Sequence, residues 1–312
     1  MSVVTEHEPV LRVRGLSKRF PGAGLFGRRG AVDALSDVDL SIGRGEIVAL
    51  VGESGSGKST LARCVARLEQ PTSGTVELDG VDVLRSERRS ASRAYRNRVQ
   101  MVFQDPFGSL NPAHRVGAVL ERTFQLHGMG QGDVHERCAQ LVESVGLDRQ
   151  VLSAFPHELS GGQRQRIAIA RVLAVEPDVI LADEPTSMLD VSVRIGVLNL
   201  LAGLRDERGI AMLYVTHDLA SARYLADRIL VMHRGRIVEG GESTTLLANP
   251  SHPYTRLLVG AVPDPNRSSA PDVGVRARLR EEIAAWTSGP ALSRRIVDAD
   301  NDHWVLAPEE NE

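Results

Sequence analysis

Cysteine is nearly missing from this chain: of 312 residues only Cys64 and Cys138 carry a thiol. Both fall in helix-like segments and neither belongs to a paired metal-ligand spacing. That usage points to a reducing compartment and to core-filling roles for both. A charge surplus is missing too. Lysine and arginine number 37 against 40 acidic residues, a net −3, so no overall field would hold a polyanion and nucleic acid is not an expected partner. Long apolar runs are also lacking. Nowhere do ~18 consecutive apolar residues occur, and Met1 to Pro9 shows no basic stretch followed by an apolar one. The expectation is a protein that remains in the cytoplasm. With 42% hydrophobic and 25% charged residues, the chain can bury a sizeable core without staples, as one large domain or two.

What is present begins with Gly52-Glu53-Ser54-Gly55-Ser56-Gly57-Lys58-Ser59, which meets the G-x-x-x-x-G-K-[ST] pattern at every fixed position, directly after the apolar run Ile47 to Val51. Glycines at this spacing let successive backbone N–H groups aim at phosphate oxygens, and a helix from about Lys58 adds the positive end of its dipole. Lys58 should reach the β- and γ-phosphates of a nucleoside triphosphate, and Ser59 a Mg²⁺ ion. Thr60 completes the phosphate-side group.

Short β-like runs at Leu11 to Val13, Val38 to Ile42, Ile47 to Val51 and Thr75 to Leu78 are separated by glycine-rich turns, an antiparallel edge leading into a nucleotide-binding core. Pro21 to Gly30 reads as an exposed loop. Apolar residues then recur at helical spacing over Gly117 to Gln125, Val134 to Val145 and Val193 to Leu204. Buried parallel strands are expected at Val179 to Ala182 and Met212 to Thr216, each ending in polar residues where α/β sheets place their ligands. Ile229 to Met232 and Ile237 to Glu239 read as a final hairpin around Arg234-Gly235. Pro263 to Gly274, rich in Pro, Ser and Asp, reads as a linker to a small appendage, in which Arg276 to Ala285 has the pattern of an amphipathic helix.

The run Val179 to Ala182 ends in Asp183-Glu184, adjacent carboxylates expected to point to opposite sides of an extended backbone and so to take separate roles. Asp183 would hold the Mg²⁺ shell. Glu184 would orient or deprotonate the water that attacks the γ-phosphate. His217 follows the second apolar strand, where a side chain can meet that phosphate. Ser160-Gly161-Gly162-Gln163 contains an S-x-x-Q capping box, but a cap does not need two glycines, which suggest backbone that approaches an anion closely.

At this point the chain resembles an ABC-type ATPase over about Leu11 to Gly240, with Ser160, Gly161, Gly162 and Gln163 as that superfamily's signature. The resemblance implies that Gln104 is the Mg²⁺-sensing glutamine, Asp190 the D-loop aspartate, His217 the switch histidine and Phe20 the residue stacked on adenine. Met188 departs from the alanine commoner in that D-loop. Phe103 to Pro112 and Asn249 to Leu258 resemble two hallmarks of the oligopeptide/dipeptide importer subfamily. No cysteine follows Cys138, so the iron–sulfur centre of some relatives is not expected.

The resemblance implies an α/β fold: a P-loop NTPase core with an antiparallel β subdomain, an inserted helical signature subdomain and a small C-terminal extension. The ATP-binding domain would span 1–262, with the helical part at about 105–160, and 263–312 would be linker and extension. It implies ATP and Mg²⁺ as cofactors, and a head-to-tail dimer with a copy of itself or a related subunit. It further implies two transmembrane permease subunits, an extracytoplasmic solute-binding protein, and a peripheral place on the cytoplasmic side of the cell membrane. Peptides are the first expected cargo, with oligosaccharides or nickel as alternatives. A soluble ABC ATPase acting in translation or DNA maintenance is the rival class.

Overall fold

Five apolar residues in a row, Ile47 to Val51, all buried, leave no solvent-facing side, so the strand they form must lie inside a sheet covered on both faces. The computed structural model, which describes residues 8–22, 30–87, 90–105, 108, 110–261, 273–288 and 292–309, builds the protein around that strand. The chain opens with β1 (Leu11–Phe20) and β2 (Val32–Ile42), passes through β3 (Ile47–Val51) and α1 (Lys58–Val65), and returns to the first two strands with β4 (Ser73–Leu78) and β5 (Val81–Asp82). Short helices α2 (Val83–Ser86) and α3 (Arg93–Arg98) lead to β6 (Val99–Val102). A helical block follows: α4 (Val116–Leu126), α5 (Val134–Ser144), 3₁₀ turns at Arg149–Ser153 and Pro156–Glu158, and α6 (Gly161–Leu173). Then come β7 (Val179–Asp183), α7 (Val191–Arg208), β8 (Ala211–Thr216), α8 (Leu219–Leu225), β9 (Arg228–His233) and β10 (Arg236–Glu242). The described chain finishes with α9 (Ser243–Ala248), α10 (Pro253–Ala261), α11 (Val273–Ser288), β11 (Leu292–Asp298) and β12 (His303–Pro308).

Two sheets result. One is four-stranded and antiparallel, in the order β2-β1-β4-β5. The other has eight strands in the order β11-β12-β10-β9-β3-β8-β7-β6, parallel from β9 to β6 and antiparallel beyond β9. Alternation along the central strands divides the core. Ile47, Ala49, Val51, Ile180, Ala182, Met212 and Tyr214 face the helical block and α7. Val48, Leu50, Leu181, Leu213 and Val215 face α1 and the antiparallel sheet. This is the expected α/β fold class, and the carboxyl ends of β3, β7 and β8 form the crevice in which such sheets hold ligands.

Several elements run beyond their expected bounds. The sequence shows only Leu11 to Val13 of β1 because register shifts follow Val13, near Gly15 and Asp37, both at positive φ (57° and 54°). An irregularity of this kind destroys the two-residue period by which a strand is recognised. The expected hairpin is present, and its turn residues Arg234 and Gly235 both have positive φ (46° and 80°), the twist that a two-residue hairpin requires. Sequence periodicity gave no sign of β11 and β12. β12 of the C-terminal extension pairs with β10, Glu239 opposite Val305 and Gly240 opposite Trp304. Most of the expected loop after Pro21 and most of the expected linker after Pro263 lie outside the described residues.

Helix α7 supplies a stability test, because one side of it is core and the other is open. Leu201 is fully buried, whereas Ile195 is 50% exposed. Leu201→Ala should cost about 2–5 kcal/mol and lower the thermal midpoint. Ile195→Ala should stay within about 0.5 kcal/mol, as calorimetry of the two variants would register.

Candidate functional site

The residues after β3 turn sharply because nothing larger than glycine fits. A Cβ at Gly52 would lie 2.2 Å from the Met232 carbonyl oxygen, and one at Gly57, where φ is 111°, would lie 2.5 Å from that of Ala34. Gly57 is the N-cap of α1, so the loop amides and the helix dipole converge on one spot. Lys58 is 5% exposed and folds back over the loop, donating to the carbonyls of Gly52 (2.7 Å) and Glu53 (2.8 Å). Burial pulls its pKa down, against the opposing pull of Glu184, Asp183 and Glu53.

The acidic pair reaches this loop from β7. Asp183 is buried and accepts a 2.9 Å hydrogen bond from the Ser59 hydroxyl. Desolvation raises its pKa, with the Ser59 bond acting the other way. Glu184 does not continue the strand. Its φ is 47°, and its N–H donates to the Val215 carbonyl at 2.9 Å. The two carboxylates do take separate partners, but through this left-handed residue and not through the alternation of an extended chain. Glu184 Oε2 accepts from Gln104 Nε2 at 2.9 Å, and Oε1 lies 3.2 Å from His217 Nδ1. The His217 ring is otherwise exposed. One carboxylate thus joins a residue after β6 to one after β8.

These groups line a cleft of about 820 Å³, in which Glu53, Ser54, Gly55, Gly57, Lys58, Ser59, Thr60, Gln104, Glu184 and His217 come together. Ser56 lies beneath it, buried, with its carbonyl accepting from the Gly235 N–H at 2.8 Å. Phe20 is not a lining residue. Its ring sits under the Lys18 ammonium, 4.6 Å from the centroid, and the cleft wall expected of it is made by Val32, Asp33, Ala34, Arg234 and Gly235. Those residues escaped the sequence reading. The signal for two of them was the Arg234-Gly235 turn, recognised as a hairpin and not connected to the strand that carries the loop.

Two expected site segments lie elsewhere. Ser160 caps α6, its hydroxyl accepting from the Gln163 N–H (3.2 Å) while Gln163 Oε1 accepts from the Ser160 N–H (2.9 Å). Asp190 is exposed at the N-cap of α7 and makes no side-chain cap bond. Neither these residues nor Gly161 and Gly162 line the cleft. Gly162 has a packing reason as well, since a Cβ there would fall 2.3 Å from Val193 Cγ1 on α7. Of the expected glutamine-loop hallmark, Pro106, Phe107 and Ser109 lie outside the described residues.

A phosphate cradle at the end of a parallel strand, with a neighbouring strand's carboxylate held against the cradle's serine, defines the class as a P-loop nucleoside triphosphatase. Comparison with known proteins narrows it. The ABC transporter family matches residues 35–187, and the oligopeptide/dipeptide transporter C-terminal region matches residues 238–285. A putative peptide import ATP-binding protein of Brucella ovis is 43% identical over 91% of this chain and 87% of its own. The glutathione import ATP-binding protein GsiA of Salmonella typhimurium is 46% identical over 98% of this chain, which spans 49% of that relative. Among solved structures, the ATP-binding cassette MJ0796, a dimer bound to ADP and Pi, superposes with a TM-score of 0.64 at 29% identity, covering 75% of this chain and 98% of that one. Another, cbiO1 of Clostridium perfringens, gives 0.66 at 28% identity over 78% and 92%. The chain belongs to the ABC transporter family and is an ATPase of that family.

The loop geometry is directly testable. Gly57→Ala places a methyl group against the Ala34 carbonyl in a backbone conformation that alanine resists. Binding of ATP should weaken at least about tenfold, while circular dichroism retains the native spectrum. Unchanged affinity in a titration would show that the loop tolerates a different path.

Proposed function

We propose that this chain is the ATP-hydrolysing subunit of an importer for peptides or related small solutes, energising a separate permease. One observation carries the dimeric part of the reading. The cleft is lined by loop residues, Gln104, Glu184 and His217 of one chain, with Asp183 bonded to Ser59 of that loop, yet Ser160 at the N-terminus of α6 is exposed and lines no part of it. A helix N-terminus is a phosphate site, and this one, which lines no part of its own chain's cleft, would serve the cleft of another copy or of a related subunit. The peptide cargo is supported by the match over 238–285 and by the names of the Brucella and Salmonella relatives.

In this reading the loop amides and Lys58 hold the β- and γ-phosphates of ATP, and the fixed charge stabilises the transferring group. Glu184 takes the proton of the attacking water, or orients it, as the water oxygen bonds to the γ-phosphorus and the bond to the β-phosphate oxygen breaks. Gln104 and His217, both tied to Glu184, report whether the γ-phosphate is present. The oxygen donors Ser59, Asp183 and Gln104 fit Mg²⁺ by hardness, and that ion would neutralise charge on the phosphates. The partners of this reading are two permease subunits and an extracytoplasmic solute-binding protein. Among the described residues no helix is long and apolar enough to cross a membrane, in keeping with a peripheral place on the cytoplasmic face.

Glu184→Gln should keep ATP affinity and lower phosphate release about 10²- to 10⁴-fold, giving an ATP-bound dimer by size exclusion. Near wild-type turnover would remove Glu184 from this role. Ser160→Arg should leave ATP binding by the monomer intact and abolish that dimer. A cysteine at the exposed Asn111 should cross-link to a cytoplasmic loop of the permease with a yield that changes with ATP. An active ATPase that neither cross-links nor co-purifies with a permease would favour the soluble class.

A further inference from the structure

The peptide unit between Gly52 and Glu53 is gripped on both edges. Its carbonyl accepts from Lys58 Nζ at 2.7 Å, and its N–H donates to the Tyr254 hydroxyl at 2.8 Å. Because the unit is planar, holding the N–H fixes the direction of the carbonyl, and with it the point to which the Lys58 ammonium is drawn. Tyr254 belongs to α10, about 200 residues further along the chain and inside the segment 238–285.

Tyr254 is itself held from behind. It is 1% exposed, its ring lies 4.1 Å from that of His233, and burial pushes its hydroxyl up to about 12, so it stays protonated near neutrality. Its N–H donates to His252 Nδ1 at 3.1 Å, which requires a neutral imidazole, and burial pulls His252 down to about 3. The turn before α10 is anchored by Glu239 of β10, wholly buried. Glu239 accepts from the N–H groups of Ser251 (2.6 Å) and His252 (3.0 Å), and from His303 Nε2 of β12 at 2.8 Å. Trp286 of α11 closes edge-on against His252, with centroids 4.9 Å apart. Strands β10 and β12 and helix α10 are thus joined by hydrogen bonds into one support, packed against α11, that ends at a loop amide.

We propose that Tyr254 is a positioning residue of the nucleotide site: its hydroxyl sets the Gly52–Glu53 peptide, and through it Lys58, so that the C-terminal module fixes the affinity of the loop for ATP. The inference rests on the ATPase site alone and is independent of the cargo and permease proposed above.

The test uses the full chain with Tyr254→Phe, which removes only the hydroxyl. Tyr95→Phe is the matched control, another buried tyrosine whose hydroxyl donates to the Val65 carbonyl at 2.5 Å at the far end of α1. Tyr254→Phe should raise the Kd for ATP with Mg²⁺, and the KM for hydrolysis, about 5- to 10-fold, the effect of leaving one amide unpaired. Its kcat should stay within about twofold, and Tyr95→Phe should match wild type in both. A second reading needs no variant: the Glu53 amide of the wild-type chain should exchange hydrogen as slowly as the amides of the core strands. The proposal is overturned by an unchanged KM in Tyr254→Phe, by an equal shift in Tyr95→Phe, or by exchange of the Glu53 amide at the rate of an exposed loop.

Discussion

Everything at the catalytic end depends on the level at which three parallel strands stop. β3 pairs with β8 so that Val51 lies opposite Thr216, and β7 pairs with β8 so that Asp183 lies opposite Val215. The phosphate loop, the acidic pair and His217 therefore emerge side by side although they are far apart in sequence. Slippage of β7 by one residue would turn its core-facing set to the opposite face and carry Asp183 away from Ser59. The burial of every residue in these strands is thus what holds a 2.9 Å hydrogen bond in place.

Strain sits where that register ends. Glu184 occupies a left-handed conformation that a non-glycine residue adopts at some cost. The conformation is held by the hydrogen bond its N–H donates to the Val215 carbonyl and by two side-chain partners, Gln104 and His217. Those partners come from loops after different strands. A carboxylate held by both partners keeps one orientation, and displacement of either loop would break one of its two contacts.

Legibility in the sequence followed the physics of each part. β3, β7 and β8 are continuous apolar runs, so they could be read almost to the residue, and the chemical groups at their ends came with them. The phosphate loop was legible because its glycines answer to contacts of 2.2 and 2.5 Å that no other residue satisfies. β1 was hidden past Val13 by register shifts. β11, Leu292–Asp298, was hidden because it is exposed or half-buried throughout and shows no buried face. Phe20 is not among the lining residues of the cleft: an aromatic residue at the end of β1 says nothing of which way its ring turns, and here the ring lies under the Lys18 ammonium. The role of Glu53 in meeting Tyr254 could not have been read, since a contact across 201 residues leaves no local periodicity.

Strand pairing by β12 also decides how copies of this chain behave before they are finished. Without β11 and β12, the larger sheet would end in the antiparallel strand β10, whose Gly240-Gly241 stretch offers an unpaired backbone ladder with little side-chain bulk to keep another strand away. The hairpin moves the free margin outward to Leu292–Asp298, where Arg294 and Arg295 stand beside Ile296 and Val297, and charge on an outermost strand discourages strand exchange between molecules. During synthesis the ladder of β10 stays open until roughly 60 further residues have followed it, at ~5–20 residues per second. The hairpin therefore covers the β10 ladder only late in synthesis, after the rest of the sheet has been made.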